Sequence, residues 1–375
     1  MAEVHTEATI NSSISSAEMK KQSRKAHRAT RHMGGHTFVK TVVTPGSIGN
    51  ISAAEVFSAK DLESIERCMG GPTTGQFMKA RNGVTHFILD EPDESVAKSP
   101  RQIVCCAHGL GTNLHVYDAL ASDLVKEGFT VLRYEYFNHG FSKSDDPFLV
   151  MDENVMVTQV EDLFSHVLED GEPVSYFVGH STGGVVAIQA ARSLTERKIE
   201  KIGLVSPAIW ANKPLLAKLA DRVPSFLFNL MKWGFRPLNH AVADSYMQNV
   251  HIAFARDKKT KKYRHEVAYK QALSNTKNTF KIHPFYTAGI MSISNFYLNI
   301  KLLPVWRKYL KEVAKNGVKM LVVYGDEDVV VPNLGTLSSI DNVECSTLKQ
   351  QGHECFYEDT STISPILAKF FSGGE

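Results

Sequence analysis

From about Thr73 to Ser206, short apolar runs alternate with longer stretches of helical period. Runs near 76–80, 84–90, 102–107, 129–137, 174–179 and 200–206 have the length expected of strands, while 114–127, 154–169 and 182–196 carry amphipathic or mixed helical patterns. Some runs, such as Ile103-Val104-Cys105-Cys106-Ala107, contain no polar position. A strand written that way is buried on both faces, as in a parallel sheet covered by helices on each side. The alternation therefore predicts an α/β fold with a mostly parallel central sheet and flanking crossover helices.

The rhythm breaks at Pro207. Roughly a hundred residues follow without strand–helix alternation. They hold helical patterns such as Leu215-Leu216-Ala217-Lys218-Leu219-Ala220 and Phe226-Leu227-Phe228-Asn229-Leu230-Met231-Lys232-Trp233. Alternation resumes with a helix near Leu303 and strands over 318–324 and 343–348. The expected organisation is a mobile, basic, polar tail over 1–50, a first part of the core over 51–206, a helical insertion over 207–302, and a second part of the core over 303–375.

Composition narrows the class. A hydrophobic content of 43% with 22% charged residues is ordinary for a soluble globular chain. The five cysteines (Cys68, Cys105, Cys106, Cys345 and Cys355) form no secreted-type framework, and Cys105 and Cys106, adjacent on one strand, point to opposite faces. Reduced thiols and a cytoplasmic setting follow. No 18-residue apolar run predicts a spanning helix. The start Met1-Ala2-Glu3-Val4-His5-Thr6 lacks a signal-type apolar segment, and Ala2 stands where myristoylation requires a glycine.

Charge is unevenly spread. Residues 207–320 hold 20 Lys and Arg against 5 Asp and Glu, and the remainder holds 22 against 35, so a net charge of +2 conceals a cationic insertion on an acidic body. One reading is a solvated basic face that includes Arg256-Asp257-Lys258-Lys259-Thr260-Lys261-Lys262-Tyr263-Arg264. The other is peripheral contact with an anionic membrane, with Phe226, Phe228, Trp233 and Phe235 at the interface. No nucleic-acid module is visible, so nucleic acid is not expected as a partner. The basic stretch Lys20-Lys21-Gln22-Ser23-Arg24-Lys25 reads either as a solvated tail or as an address to an organelle or acidic surface.

Candidate chemistry sits where strands end. Gly179-His180-Ser181-Thr182-Gly183 lies between the apolar run 174–178 and a helical stretch, giving a strand, a tight turn carrying a serine, then a helix. His108-Gly109-Leu110-Gly111 follows the run 103–107, and such a small-residue loop lets a backbone N–H face a developing oxyanion. The strand over 318–324 ends in Gly325-Asp326-Glu327-Asp328, and the strand over 343–348 leads to Gly352-His353. Serine, acid and histidine thus occur in the chain order that α/β-hydrolases use, unlike the orders of chymotrypsin-like or subtilisin-like proteases. Four loops at the carboxyl ends of strands converge on one sheet edge, where such folds bind ligands.

These motifs resemble the α/β-hydrolase superfamily, in particular its capped serine esterases and monoacylglycerol lipases. The resemblance runs from about Thr73 to the C-terminus. Thr182 stands where many relatives carry Met or Gln, and the first eighty residues carry none of these motifs. The resemblance implies that the insertion over 207–302, after the sixth expected strand, is a helical cap over the serine. It also selects Asp328, through the Gly-x-x-Asp…Pro spacing to Pro332, over Asp326 as runner-up and Glu327. His139, His108 and His180 are expected to be structural.

The residue types imply a mechanism. Ser181 would be the nucleophile, His353 its general base and Asp328 the carboxylate that sets the imidazole tautomer. The oxyanion would be held by the N–H groups of Thr182 and Leu110. A serine at the elbow favours acyl transfer over carboxylate-nucleophile chemistry. No cofactor or metal is required. The expected substrate is a small acyl ester of monoacylglycerol or lysophospholipid type; amide, peptide, thioester and carbon–carbon bond cleavage use the same triad and stay open. The alternatives are an acyltransferase on the same residues, or a non-enzymatic binder that keeps the fold.

Overall fold

The computed structural model describes residues 48–59, 62–63, 66, 74–146, 149, 151–169, 172–210, 251–282, 303–331 and 334–373. Among them a ten-stranded sheet organises the chain. Strands β1 (Gly49–Ile51), β2 (Gln76–Ala80) and β3 (Gly83–Asp90) form an antiparallel flank, and β3 also pairs with the short β6 (Lys143–Ser144). Next to β3, antiparallel, lies β5 (Thr130–Tyr134). From β5 the sheet is parallel through β4 (Ile103–Ala107), β7 (Tyr176–His180), β8 (Lys201–Val205), β9 (Lys319–Gly325) and β10 (Val343–Leu348). This is the mostly parallel sheet expected from the alternation.

Helices cover both faces. α1 (Ala53–Val56) follows β1; α2 (Asp118–Lys126), α3 (Glu153–Val167) and α4 (Thr182–Ser193) connect the central strands. α5 (Glu266–Ile282) lies within the insertion, α6 (Leu303–Lys315) precedes β9, and α7 (Cys355–Ser372) closes the described chain. All five residues of β4 are fully buried. Ile103, Cys105 and Ala107 join the core formed with α3, α4 and α6, whereas Val104 and Cys106 join the one formed with α2 and α7. The two cysteines therefore do face opposite sides, and the unbroken apolar run has its cause in a core on each side. No described helix is long and apolar enough to cross a membrane.

The sheet begins earlier than the pattern suggests. Gly49, Asn50 and Ile51 pair antiparallel with Lys79, Met78 and Phe77, so a strand starts inside the segment read as tail. Phe57 then packs edge-on against Phe77 and Phe141, with ring centroids 6.2 and 6.5 Å apart. Three residues paired through their backbone leave almost no periodic signal. Residues 1–47 lie outside the described residues, as do 211–250 and 283–302 of the insertion, including the helical patterns over 215–220 and 226–233. The described part of the insertion contains α5 and a hairpin closed by a bridge between Arg256 and Tyr263.

Candidate active site

Ser181 occupies the sharp turn between β7 and α4 with φ 52° and ψ −115°, a conformation that non-glycine residues rarely adopt. Its surroundings hold it there. The Ser181 N–H donates to Val205 O (3.0 Å), and its carbonyl accepts from Gly184 N (3.1 Å) and Ala208 N (2.9 Å). The glycines of the motif are sterically required: a Cβ on Gly183 would lie 1.8 Å from Ala107 O, and one on Gly179 2.3 Å from Gly183 O. Strand end and helix start thus touch backbone to backbone, and the serine points out of the turn.

Three side chains form a hydrogen-bonded series. Ser181 Oγ is 2.9 Å from His353 Nε2, and His353 Nδ1 is 2.9 Å from Asp328 Oδ2. The second oxygen of Asp328, Oδ1, accepts from Val330 N (2.8 Å) and Val331 N (2.9 Å). Burial acts to lower the His353 pKa, but the adjacent Asp328 carboxylate more than offsets it and the net shift is upward. Burial likewise opposes ionisation of Asp328, yet His353 and the Val331 N–H leave its carboxyl below the usual range. Each partner favours the charged state of the other.

The three acids after β9 have separate tasks. Asp326 accepts from Gln350 N (2.6 Å) and lies 3.6 Å from the exposed Lys349. Glu327 takes a two-pronged contact from Arg264 at 2.9 and 3.2 Å. Only Asp328 meets the imidazole. Pro332 falls outside the described residues.

Thr182 follows the serine directly, and Leu110 sits in the loop that approaches it through Gly109. Thr182 is the buried first residue of α4, where backbone N–H groups have no intrahelical acceptor. Gly109 packs so closely that a Cβ there would sit 3.4 Å from Ser181 Cβ, which brings the 108–111 loop beside the elbow serine. Leu110 is half-buried at the edge of the core.

The three histidines expected to be structural are buried and bonded to the surrounding backbone. His108 is fully buried, its Nδ1 bonded to Gly109 O (2.8 Å) while Nε2 accepts from Tyr136 N (3.3 Å), and burial pulls its pKa down to about 4. His180 donates from Nε2 to His353 O (3.0 Å), and burial lowers its pKa as well. His139 is buried, with Nδ1 3.2 Å from Phe137 O.

Pattern reading missed several supports. The Tyr117 hydroxyl donates to Ala107 O (2.7 Å) and accepts from His180 N (3.1 Å), tying β4 to the elbow. Glu135, fully buried, accepts from Phe141 N (2.5 Å) and meets His86 Nδ1 at 3.0 Å, bracing the loop after β5. Glu358, on α7, bridges Gly352 and the segment around Ala255. The loop holding Glu135 follows a legible strand and resembles one that braces the site floor in the family, whereas for Glu358, five residues past the histidine, nothing in the sequence told a buried carboxyl from a surface one.

Fold and site together define an α/β-hydrolase with a serine in its elbow. A model of the family described as serine aminopeptidase, S33, matches residues 98–360, and the chain belongs to that family. It is 33% identical over 135 residues to the monoglyceride lipase of Rattus norvegicus, a match covering 33% of this chain and 43% of that protein. The monoglyceride lipase of Homo sapiens is 31% identical over 136 residues, with the same coverage. The matched segment thus spans less than half the length of these relatives. Among solved structures, an enol-lactonase from Burkholderia xenovorans LB400 has a TM-score of 0.58 at 18% identity, covering 79% of this chain and 99% of that one. An esterase from Exiguobacterium antarcticum also reaches 0.58, at 16% identity, covering 80% and 100%. These likenesses speak for the fold.

Proposed function

We propose that the protein is a serine hydrolase of carboxylic esters, acting through Ser181, His353 and Asp328 on an acyl or lipid-like substrate of monoacylglycerol or lysophospholipid type. The observation that carries this reading is the continuous series from serine hydroxyl through imidazole to carboxylate, with both links at 2.9 Å. A protein that only binds a ligand has no need of that alignment. The monoglyceride lipase relatives support the lipid-like substrate.

In the reaction, Ser181 Oγ attacks the ester carbonyl carbon while its proton passes to His353 Nε2. The carbonyl oxygen becomes an oxyanion held by the N–H groups of Leu110 and Thr182. Collapse breaks the bond to the alcohol, which takes the proton from His353 and leaves an acyl-enzyme. Water then attacks, its proton going to His353 and from there back to Ser181 as the acid departs. An alcohol in place of water would make the same machinery an acyltransferase.

The cap over 207–302 would form the acyl pocket, and its basic face would make peripheral contact with anionic membranes. The hairpin around Lys258, Lys259, Lys261 and Lys262 supports the second point. Its four lysines are exposed, and Asp257 Oδ1 pins the turn by accepting from Lys259 N (3.0 Å) and Thr260 N (2.7 Å).

The test is covalent labelling by a fluorophosphonate followed by turnover of p-nitrophenyl esters of rising chain length. Wild type should label once, Ser181→Ala should not label although folded, and turnover should rise with acyl length. Undiminished labelling of folded Ser181→Ala would overturn the assignment, and a preference for acetyl over long chains would overturn the lipid-like substrate.

A further inference from the structure

A buried carboxyl that the proposed chemistry does not use stands behind the histidine. Glu358 lies in the first turn of α7 and is 7% exposed. Its Oε1 accepts from Ala255 N at 2.6 Å and its Oε2 from Gly352 N at 2.5 Å. The two donors come from distant parts of the chain. Gly352 immediately precedes His353, whereas Ala255 belongs to the insertion that separates β8 from α6. No described side chain forms a salt bridge with Glu358. Burying a carboxyl without a cation is costly, and here the two short N–H contacts supply the compensation.

The same two segments meet a second time. Ala253 O accepts from His353 N (2.6 Å) and Glu354 N (3.3 Å), and a Cβ on Gly352 would lie 2.4 Å from Ala253 O. The peptide that carries His353 is therefore clamped between the 253–255 limb on one side and Glu358 on the other. Without the carboxyl, the Gly352 and Ala255 N–H groups would lose their acceptor in a buried site, and the loop would have to move to rehydrate them.

We propose that Glu358 is a positioning residue: its carboxylate locks the His353 loop to the 253–255 limb of the insertion and so keeps Nε2 aligned on Ser181 Oγ. The proposal rests on the reading of Ser181 and His353 given above. Displacing a base by about 1 Å is enough to cost on the order of 100-fold in rate. The lock also titrates. Burial pushes the Glu358 carboxyl up to about 7, against the two N–H contacts, and the nearby acids Glu354 and Asp328 add to the rise. The other groups around it are His353, whose charge it favours, the Cys355 thiol on its own helix, and His265, 3.4 Å from the Gln351 side chain. Activation of Ser181 then requires two deprotonations, of His353 and of Glu358.

The experiment is the rate of fluorophosphonate labelling of the intact chain against pH, with Ser181→Ala as the control for site. In wild type the acid limb should fall with a slope approaching two protons. Glu358→Gln presents an NH2 group to one of the two N–H donors. It should label about 10- to 100-fold more slowly at pH 8, with an acid limb reduced to one proton, and p-nitrophenyl butyrate turnover should show the loss in kcat and not in KM. A folded Glu358→Gln that labels at the wild-type rate with an unchanged pH profile would overturn the proposal. So would a one-proton limb in wild type, a measurement that needs no variant and holds even if Glu358→Gln fails to fold. Labelling that persists in Ser181→Ala would instead refute the underlying site reading.

Discussion

Replacing Asp328 by asparagine tests the site at its most discriminating point. Asp328 uses both carboxylate oxygens, Oδ2 toward His353 Nδ1 and Oδ1 toward the N–H groups of Val330 and Val331. An asparagine must choose. If its amide oxygen stays with the two backbone donors, its NH2 faces His353 Nδ1 and forces the proton onto Nε2, which can then no longer take the proton of Ser181. If the amide turns over, the buried Val331 N–H and the half-buried Val330 N–H face an NH2, at a cost of about 1–3 kcal/mol for the buried one and less for the other. The first arrangement is favoured, and the wrong tautomer should lower kcat by about 10⁴-fold, or ~5 kcal/mol of transition-state stabilisation. Asp326→Asn keeps an acceptor for Gln350 N and loses only an exposed contact to Lys349, so its turnover should stay within about fivefold of wild type. Glu327→Gln weakens the pairing with Arg264 and should act on stability more than on rate. The assay is p-nitrophenyl ester turnover of the three variants, with a thermal unfolding curve for each. An Asp328→Asn variant that is folded and within tenfold of wild type, or an Asp326→Asn variant that is the most damaged, would refute the assignment.

Further expectations concern pH, packing and surface. Only neutral imidazole accepts the serine proton, and Asp328 raises the His353 pKa above its ordinary 6.5, so kcat/KM should climb with pH through a value above 6.5; the residual activity of Asp328→Asn should show that limb at lower pH. Gly183→Ala drives a methyl into the Ala107 carbonyl and should cost about 2–3 kcal/mol in urea unfolding, a loss absent if the turn can open. Changing Lys258, Lys259, Lys261 and Lys262 together to Gln should weaken co-sedimentation with phosphatidylserine vesicles at low salt by roughly 10³-fold, at about 1 kcal/mol per lysine, while leaving short-ester turnover unchanged. Wild-type protein that ignores such vesicles would make the hairpin a solvated face.

The class of fold and the strand ends that carry the candidate residues are legible in the pattern alone. Unbroken apolar runs such as 103–107 demand burial on both faces, and only a covered, mostly parallel sheet provides it. Glycines at 179 and 183 around Ser181 announce a turn that tolerates no side chain, and the order Ser181, Asp328, His353 follows from strand ends that are each locally legible. Partners joined by long-range hydrogen bonds emerge only once the chain is folded. Asp326, Glu327 and Asp328 share one charge and one loop, and beyond the family spacing that favours Asp328 their tasks separate only because β10 returns Gln350 to the first, the insertion brings Arg264 to the second, and α7 is preceded by His353, which reaches the third. The strand over 49–51 was hidden because it is recruited by the backbone of β2 and not by its own side chains. Glu358 was hidden for a related reason: a glutamate on an amphipathic helix reads as solvent-facing until a segment a hundred residues upstream in the chain covers it. Periodicity records which face of an element is apolar, but the partner that a polar group finds across the fold leaves no periodic trace.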